Sequence, residues 1–323
     1  MSDIIEFNFS IFANDNRKDL RREIQLRLKT FLALIIGMCL LFEPLTLISA
    51  AAPAENPEKE QFDPFMSTTL DSGPTAEVPW ANDSKFISAK EQYKCPLLIA
   101  AYKTVLKDPL PGEEYNVHLA ASYISGTVVQ PKQIFSQNQK AGPYSLFRGY
   151  KEGPTYKGTK VFTTVGGGVC KVASTLYNVS VLSDLKIIER HSHGMPVPYV
   201  PYGQDATVYY GAKDFKFQNT TEHPILIWAK GVENVLYIGF YGQTIPPKVV
   251  WNHDVIKVYK APVLYKTNPI LPPDTEKVLH EGMDGAVISS WITLTYPDGF
   301  IKIKKMGRSY YSPLPYIIEK SGR

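Results

Sequence analysis

Three consecutive glycines, Gly166 to Gly168, stand two positions before a lone cysteine, Cys170. Glycine adopts positive φ angles at little cost, so this run predicts a tight turn that other residues would form only with strain. The residues after the turn recur at helical spacing, namely Val172, Thr175, Leu176, Val179 and Leu182. The pattern predicts a helix from Lys171 to Ser183 with Cys170 at or near its N-terminus. The partial positive charge at such a terminus favours a thiolate over a thiol.

Two histidines and an aspartate follow the cysteine within 35 residues: His191, His193 and Asp205. A cysteine at a helix N-terminus, an imidazole from a following strand and a polar third residue are the components of a nucleophilic site. In this interpretation Cys170 is the nucleophile, either histidine is the base, and Asp205 orients the imidazole. Because the histidines are two positions apart, both would face one side of an extended segment. Lys171 adds a positive neighbour that would lower the pKa of the thiol further.

The same four groups also permit a metal site, because a thiolate, two imidazoles and a carboxylate can hold a metal ion tetrahedrally. They lack the close paired spacing of structural zinc sites, and the glycine run has no role in such a site. The sequence therefore predicts no metal ion and no cofactor.

A structural or binding function is the third interpretation. Free cysteine is often buried as a small hydrophobic residue, and Asp205 can be a turn residue that bonds its own backbone. Seven tyrosines would then be available to line a sugar- or peptide-binding face: Tyr144, Tyr150, Tyr156, Tyr199, Tyr202, Tyr209 and Tyr210. Whether the chain is an enzyme stays open at this point. The enzymatic candidate is a cysteine-dependent peptidase or a transpeptidase-like activity.

Three long strings of the sequence resemble the VanW family over about residues 115–242. They are HLAASYISGTVVQPKQIFSQNQKAGP, then GGGVCKVASTLYNVSVLSDLKIIERHSHGMPVPYVPYGQDATVYYG, and then DFKFQNTTEHPILI. The family is named after a protein encoded in some vancomycin-resistance clusters. The resemblance implies an envelope protein of Gram-positive type whose partner is peptidoglycan or its precursor peptide.

The N-terminal part of the chain predicts export. Residues 1–30 are polar and basic, which is typical of a segment that stays in the cytoplasm. Residues 31–54 are mostly apolar, with small residues at their end, and predict a signal peptide or a membrane anchor. If this segment is not cleaved, residues 31–52 hold the protein at the membrane with its body outside; if it is cleaved, the body is secreted.

The rest of the chain predicts a linker and two domains. Residues 55–81 contain four prolines and no periodicity, so they predict an extended linker. Residues 82–243 predict a VanW-like domain of the α+β class, with helices early and an antiparallel meander late. The predicted helices are residues 89–107 and 113–124, and the predicted strands of the meander are residues 206–210, 215–217, 224–228 and 235–241.

A small all-β module is predicted at residues 249–323. Alternation from Ser290 to Tyr296, followed by Pro297-Asp298-Gly299, is typical of a hairpin. The string VLHEGMDGAVISSWITLTYPDG resembles the G-five domain, a β-rich extracellular module, and the resemblance covers about residues 256–320. It implies binding to cell-wall sugars.

Charge and cysteine content narrow the function further. A net charge of +4 over 323 residues is too small to predict a nucleic-acid partner, and no basic run is interleaved with aromatic residues. With Cys39 in the apolar segment, either Cys95 and Cys170 form one bridge or Cys170 is a free thiol. The sequence thus predicts an exported envelope protein that acts on or binds peptidoglycan or its precursors, with a Cys-His-Asp site as the candidate for that function. The alternative is a non-catalytic cell-wall-binding or structural envelope protein.

Overall fold

The structure is a computed structural model that describes residues 71–107, 109–157 and 160–322. The predicted cytoplasmic segment 1–30 and the predicted signal peptide or anchor 31–54 lie outside the described residues. All described residues belong to one compact unit, Gln61–Arg323. Among them, no helix combines the length and the apolar character needed to cross a membrane.

Four α-helices lie in the described residues: α1 Ser84–Gln92, α2 Glu113–Ile124, α3 Gln137–Ala141 and α4 Cys170–Leu182. Asp83 caps α1, because its carboxylate accepts hydrogen bonds from the backbone N–H groups of Lys85 and Phe86. α2 begins directly after Gly112, whose φ is +81°, and it has two glutamates in its first turn. The predicted helix at residues 113–124 is confirmed.

Sixteen strands lie in the described residues. They are β1 Gly73–Pro74, β2 Leu97–Val105, β3 Val128–Val129, β4 Ile134–Ser136, β5 Glu152–Lys157, β6 Lys160–Val165, β7 Lys186–Glu189, β8 Lys216–Gln218, β9 Ile225–Val232, β10 Val235–Gly242, β11 Lys248–Tyr259, β12 Val263–Asn268, β13 Glu276–His280, β14 Gly285–Thr295, β15 Ile301–Tyr311 and β16 Tyr316–Ser321. β12 and β16 pair in parallel, and the other paired strands described are antiparallel. Together with the helices, they confirm the predicted α+β class.

The main core lies between helices α2 and α4 and a five-stranded sheet of order β1-β2-β10-β9-β3. α2 packs on β9, and α4 packs on β2 and β10. Val117 of α2, Leu176 of α4, and Ile227 and Phe240 of the sheet are fully buried in it. Each such side chain contributes about 1.5–3 kcal/mol to the free energy of unfolding. The pairing of β9 with β10 confirms the late part of the predicted meander.

Two predicted elements are wrong. The helix predicted at residues 89–107 ends at Gln92, and residues 97–105 are β2, between β1 and β10. A strand inside a sheet that is covered on both faces has an apolar run without clean alternation, so its sequence resembles that of a buried helix. The strand predicted at residues 206–210 is a loop with an isolated bridge between Tyr209 and Lys213.

Part of the predicted linker 55–81 belongs to the folded body. Gly73 and Pro74 pair with β2 at the edge of the central sheet. Trp80 is 1% exposed, and its Nε1 donates a hydrogen bond to the hydroxyl of Tyr241 over 2.8 Å. The described residues of the linker are therefore anchored by a strand and by a buried indole, although their proline content is typical of an extended segment.

The C-terminal residues form two three-stranded sheets, β11-β14-β15 and β12-β16-β13. The hairpin predicted around Pro297-Asp298-Gly299 is confirmed, because it joins β14 to β15. Ile292 and Leu294 of β14 are fully buried in the same core as Leu176 of α4. The sheet β11-β14-β15 thus shares a hydrophobic core with the preceding domain, across the boundary that the sequence predicts at residues 243–249.

Candidate active site

The glycine run forms the predicted turn between β6 and α4. Gly166 and Gly168 have φ angles of +81° and +102°, which residues with side chains rarely adopt. α4 begins at Cys170, so the predicted position of the cysteine at a helix N-terminus is confirmed. Val169, the residue before the helix, supplies no side-chain cap. As the first helical residue, Cys170 has a backbone N–H without an intrahelical acceptor.

Gly167 packs so closely against β5 that no side chain can fit there. A Cβ atom at this position would lie 2.2 Å from the backbone of Gly153. The buried Asn116 of α2 donates from Nδ2 to the carbonyl oxygens of Gly167 and Lys151, each over 2.9 Å. Its Oδ1 accepts the N–H of Lys151 over 2.8 Å. These contacts fix the turn, and therefore Cys170, relative to β5 and α2.

The thiol of Cys170 is reduced, and the residue is partly exposed. Its Sγ lies 3.3 Å from Oγ1 of Thr207 and 3.5 Å from the carbonyl oxygen of Val208. His193 is a further neighbour of the thiol and lowers its pKa. Cys95 is reduced as well, so the two cysteines of the described region do not form a bridge.

The imidazole of His193 bonds Asp205 and interacts electrostatically with the thiol of Cys170. Its Nδ1 lies 2.6 Å from Oδ2 of Asp205, and the same oxygen accepts the backbone N–H of His193 over 2.6 Å. Because Nδ1 is occupied by the carboxylate, Nε2 is the ring nitrogen left for Cys170. The three groups are therefore arranged in the order thiol, imidazole and carboxylate, as in nucleophilic triads.

Asp205 is held by two more side chains, and its own side chain is 1% exposed. Nη2 of Arg190 donates to Oδ1 over 2.9 Å, and Nε donates to the backbone carbonyl of Asp205 over 2.7 Å. The hydroxyl of Tyr311, the last residue of β15, donates to Oδ1 over 2.5 Å. A buried carboxylate stays ionised when donors and a positive charge surround it in this way.

The pKa values of the three groups favour a thiolate–imidazolium pair. Burial alone would raise the pKa of Cys170, but the hydrogen bond and charge of His193, with the hydroxyl of Thr207, lower it from 9.0 to about 7. Burial would lower the pKa of His193, yet Asp205 and Cys170 raise it from 6.5 to about 9. Despite burial, the pKa of Asp205 falls to about 2, because His193 and Arg190 stabilise the carboxylate. The pair is charged from about pH 7 to about pH 9.

His191 lies apart from these groups. Its Nε2 is 3.0 Å from Oε1 of Glu189, and its side chain is 40% exposed. The two histidines do not face the same side, in contrast to the prediction. The reason is that β7 ends at Glu189, so the residues after it do not keep the alternation of a strand. The structure brings His193, and not His191, to Cys170 and Asp205.

Lys171 does not point to the thiol either. Its Nζ forms an ion pair with the carboxylate of Glu113 at the start of α2, and it lies 4.7 Å from the centre of the Tyr199 ring. This ion pair joins α2 to α4 beside the site. The groups that lower the pKa of Cys170 are His193 and Thr207, rather than the positive neighbour that the sequence suggests.

The structure adds four residues that the sequence did not predict at the site: Asn116, Arg190, Thr207 and Tyr311. Arg190 and Thr207 lie within three positions of predicted site residues, and this closeness in the sequence could have indicated them. Tyr311 is 106 positions from Asp205, and no local pattern connects them. Within the described residues, no group of three or more His, Cys, Asp or Glu side chains is arranged to hold a metal ion.

Comparison with known families finds a similarity for the part of the chain that carries the site. A model of the VanW family, described as VanW like protein, matches residues 112–241. The match contains Cys170, His193 and Asp205, and it ends before the two C-terminal sheets begin. The family resemblance predicted from the three sequence strings is confirmed, and it supports a protein associated with the cell envelope.

Two relatives illustrate the VanW similarity. The uncharacterized protein YoaR of Bacillus subtilis (strain 168) is 38% identical over 164 residues, which are 51% of this chain and 52% of that protein. The vancomycin B-type resistance protein VanW of Enterococcus faecalis (strain ATCC 700802 / V583) is 32% identical over 119 residues, 35% of this chain and 43% of that protein. The chain spans about half the length of these curated relatives or less. Among solved structures, the G5 domain of IgA1 protease is similar to 24% of this chain and 93% of its own, with 20% identity and a TM-score of 0.16.

Proposed function

We propose that this protein is a cell-envelope enzyme that transfers or hydrolyses acyl groups through Cys170. His193 is the acid and base, and Asp205 orients the imidazole. The observation that carries the proposal is the connected thiol, imidazole and carboxylate, with the pKa of Cys170 at about 7 and that of His193 at about 9. The thiolate is the nucleophilic form of cysteine, and this pair supplies it at neutral pH.

The reaction proceeds through a thioester. The thiolate of Cys170 attacks the carbonyl carbon of an amide, and the C–N bond breaks as the imidazolium of His193 gives its proton to the leaving amine. An amine or a water molecule then attacks the thioester, neutral His193 takes up the proton, and the thiolate leaves. The N–H of Cys170 can donate to the carbonyl oxygen as negative charge develops there. Attack by an amine gives transpeptidation, and attack by water gives hydrolysis.

Peptidoglycan or its precursor peptide is the proposed substrate. Two features support this choice: the match of residues 112–241 to the VanW family, and the predicted export segment at residues 31–54, which would carry the body to the cell wall. Retention of residues 31–52 would keep the protein at the membrane, and cleavage would release it. The name of the Enterococcus faecalis relative connects that protein with vancomycin resistance, and a related role is part of the proposal.

Non-catalytic binding to the cell wall is the second candidate function. It is favoured by Tyr209 and Tyr210, which are 71% and 51% exposed and directly follow the Thr207-Val208 segment at the sulfur. Exposed aromatic rings give a binding surface a large contact area with one polar end. In this case cell-wall binding would persist in Cys170→Ala and would weaken when both tyrosines are replaced by alanine.

Trapping the acyl-enzyme tests the first proposal. The full-length chain is incubated with peptidoglycan-derived peptides, quenched in acid, and analysed by mass spectrometry of the peptide that contains Cys170. A mass increase is expected in the wild type and in His191→Ala, which serves as the matched control. It should be absent from Cys170→Ala and strongly reduced in His193→Ala. If no adduct and no product form while Cys170→Ala still binds peptidoglycan, the binding function replaces the enzymatic one.

A further inference from the structure

Two residues at the end of β15 contact the site from outside the VanW domain. The hydroxyl of Tyr311 donates to Oδ1 of Asp205 over 2.5 Å and accepts the backbone N–H of Gly203 over 2.7 Å. The hydroxyl of Ser309 accepts from Nη1 of Arg190 over 2.9 Å. Tyr311 and Ser309 are each 2% exposed, so water does not compete for these hydrogen bonds.

We propose that Tyr311 is a positioning residue for Cys170 and His193, and that the sheet β11-β14-β15 thereby completes the site of the VanW domain. The inference rests on the proposed function, since it assigns Tyr311 a role in the same thiol chemistry. The VanW match ends at residue 241, whereas β15 spans Ile301–Tyr311. The site therefore needs a part of the chain that the family match does not contain.

The carboxylate of Asp205 is held on both sides. Oδ2 receives the backbone N–H and the ring of His193, and Oδ1 receives Tyr311 and Arg190. Fixing Oδ1 prevents rotation of the carboxylate, so Oδ2 stays directed at the imidazole. Arg190 is itself bonded to Ser309. Both groups that hold Oδ1 thus depend on β15.

The loop that carries Asp205 also lies directly on this sheet. Gly203 has a φ of +85°, and a Cβ atom there would lie 2.3 Å from Oγ of Ser290 on β14. The ring of Tyr311 packs edge-on against Tyr202, with 5.1 Å between ring centroids. The ring of Tyr311 thus packs the loop, and its hydroxyl orients the carboxylate. These two roles can be separated, because Tyr311→Phe removes the hydroxyl and keeps the ring.

Tyr311→Phe in the full-length chain tests the proposal, with Tyr310→Phe as the matched control. Tyr310 is the preceding residue of β15, points to the opposite face and is 61% exposed. The measurement is the pH profile of iodoacetamide labelling, quantified by mass spectrometry of the Cys170 peptide. In Tyr311→Phe the midpoint of the profile should move to higher pH, and labelling at pH 7 should fall several-fold. Tyr310→Phe should match the wild type.

Cys95 reports on folding in the same samples, because it is fully buried and labels when the protein unfolds. If Tyr311→Phe exposes Cys95, the variant has lost its fold, and Ser309→Ala is tested in its place. In Ser309→Ala we expect the midpoint of the Cys170 profile to move in the same direction by a smaller amount. The proposal is overturned if Cys95 stays protected and Tyr311→Phe labels like Tyr310→Phe. It is equally overturned if Ser309→Ala, as the deciding variant, labels like the wild type.

The wild-type profile separates this inference from the proposed function. If wild-type Cys170 labels as an ordinary thiol, or if His193→Ala leaves its profile unchanged, the proposed function fails and the inference fails with it. If the wild-type profile is lowered and depends on His193, while Tyr311→Phe leaves it unchanged, the positioning role alone is overturned.

Discussion

Cys95 and Cys170 are both reduced, yet they lie in opposite environments. Cys95 is fully buried in a small aromatic cluster, where its Sγ lies 3.4 Å from each of the carbonyl oxygens of Tyr93 and Pro224. Burial raises its pKa. Cys170 experiences burial too, but the hydrogen bond and charge of His193 more than offset it and lower the pKa to about 7. Burial alone makes a cysteine inert, and a cationic partner makes it reactive.

Removal of His193 should abolish most of the difference in pKa between Cys170 and Cys95, and it should give the largest effect of the three substitutions below. In His193→Ala the pKa of Cys170 should rise from about 7 to near its ordinary value of 9.0, because burial is then opposed only by the Thr207 hydroxyl and the backbone at Val208. At pH 7 the thiolate fraction would fall from about one half to about one per cent, roughly fifty-fold. Iodoacetamide labelling against pH measures the change. An unchanged midpoint in His193→Ala, or an equal shift in the control His191→Ala, would contradict it.

Asp205→Asn should have a smaller effect than His193→Ala, because the carboxylate acts on the thiol only through the imidazole. Iodoacetamide labelling of Cys170 at pH 7 should fall about ten-fold. Burial lowers the pKa of His193, whereas Asp205 and Cys170 together raise it to about 9, so loss of the Asp205 charge should lower the pKa of His193. His193 would then lose its proton at lower pH, and the upper limit of the thiolate–imidazolium range would move down. NMR titration of the His193 ring in the wild type and the variant measures this. A pKa that stays near 9 in Asp205→Asn would show that the carboxylate has no such effect.

Thr207→Val should produce the smallest effect. The substitution keeps the shape of the side chain and removes the hydroxyl 3.3 Å from Sγ, which is one of the groups that lower the pKa of Cys170. Because His193 remains, labelling at pH 7 should fall by about two-fold, in keeping with the loss of one modest hydrogen bond. Competitive labelling of wild type and variant in one tube resolves a change of this size. A decrease as large as that in His193→Ala would mean that the hydroxyl, and not the imidazole, sustains the thiolate.

Local sequence patterns correctly predicted the part of the site around Cys170. The glycine turn and the helix that begins at Cys170 depend on φ angles and on spacing, which neighbouring residues determine. The choice between His191 and His193 depends on where β7 ends, and the alternating pattern does not contain that information. Tyr311 was out of reach for a stronger reason, since its contact with Asp205 spans 106 positions and forms only when β15 packs on the loop.

The early part of the fold was harder to predict than the late part. β9 and β10 are two short apolar runs separated by turn residues, so their hairpin is visible in the sequence. Residues 97–105 are a strand within a covered sheet, and such a strand has the composition of a buried helix. The burial of Trp80 was likewise not predicted, because the residues around it are rich in proline and have no periodic pattern. One large aromatic residue can anchor such a segment by itself.

The contact between Gly153 and Gly167 bears on how homologues of this chain diverge. A Cβ atom at Gly153 would lie 2.7 Å from the carbonyl oxygen of Gly167, and one at Gly167 would lie 2.2 Å from the Gly153 backbone. Neither position can accept a side chain unless the β5–β6 hairpin moves away from the turn that carries the nucleophile. Homologues that retain the cysteine should therefore retain both glycines as a linked pair. Gly194, where a Cβ would meet nothing within 4 Å, should drift freely among the same homologues.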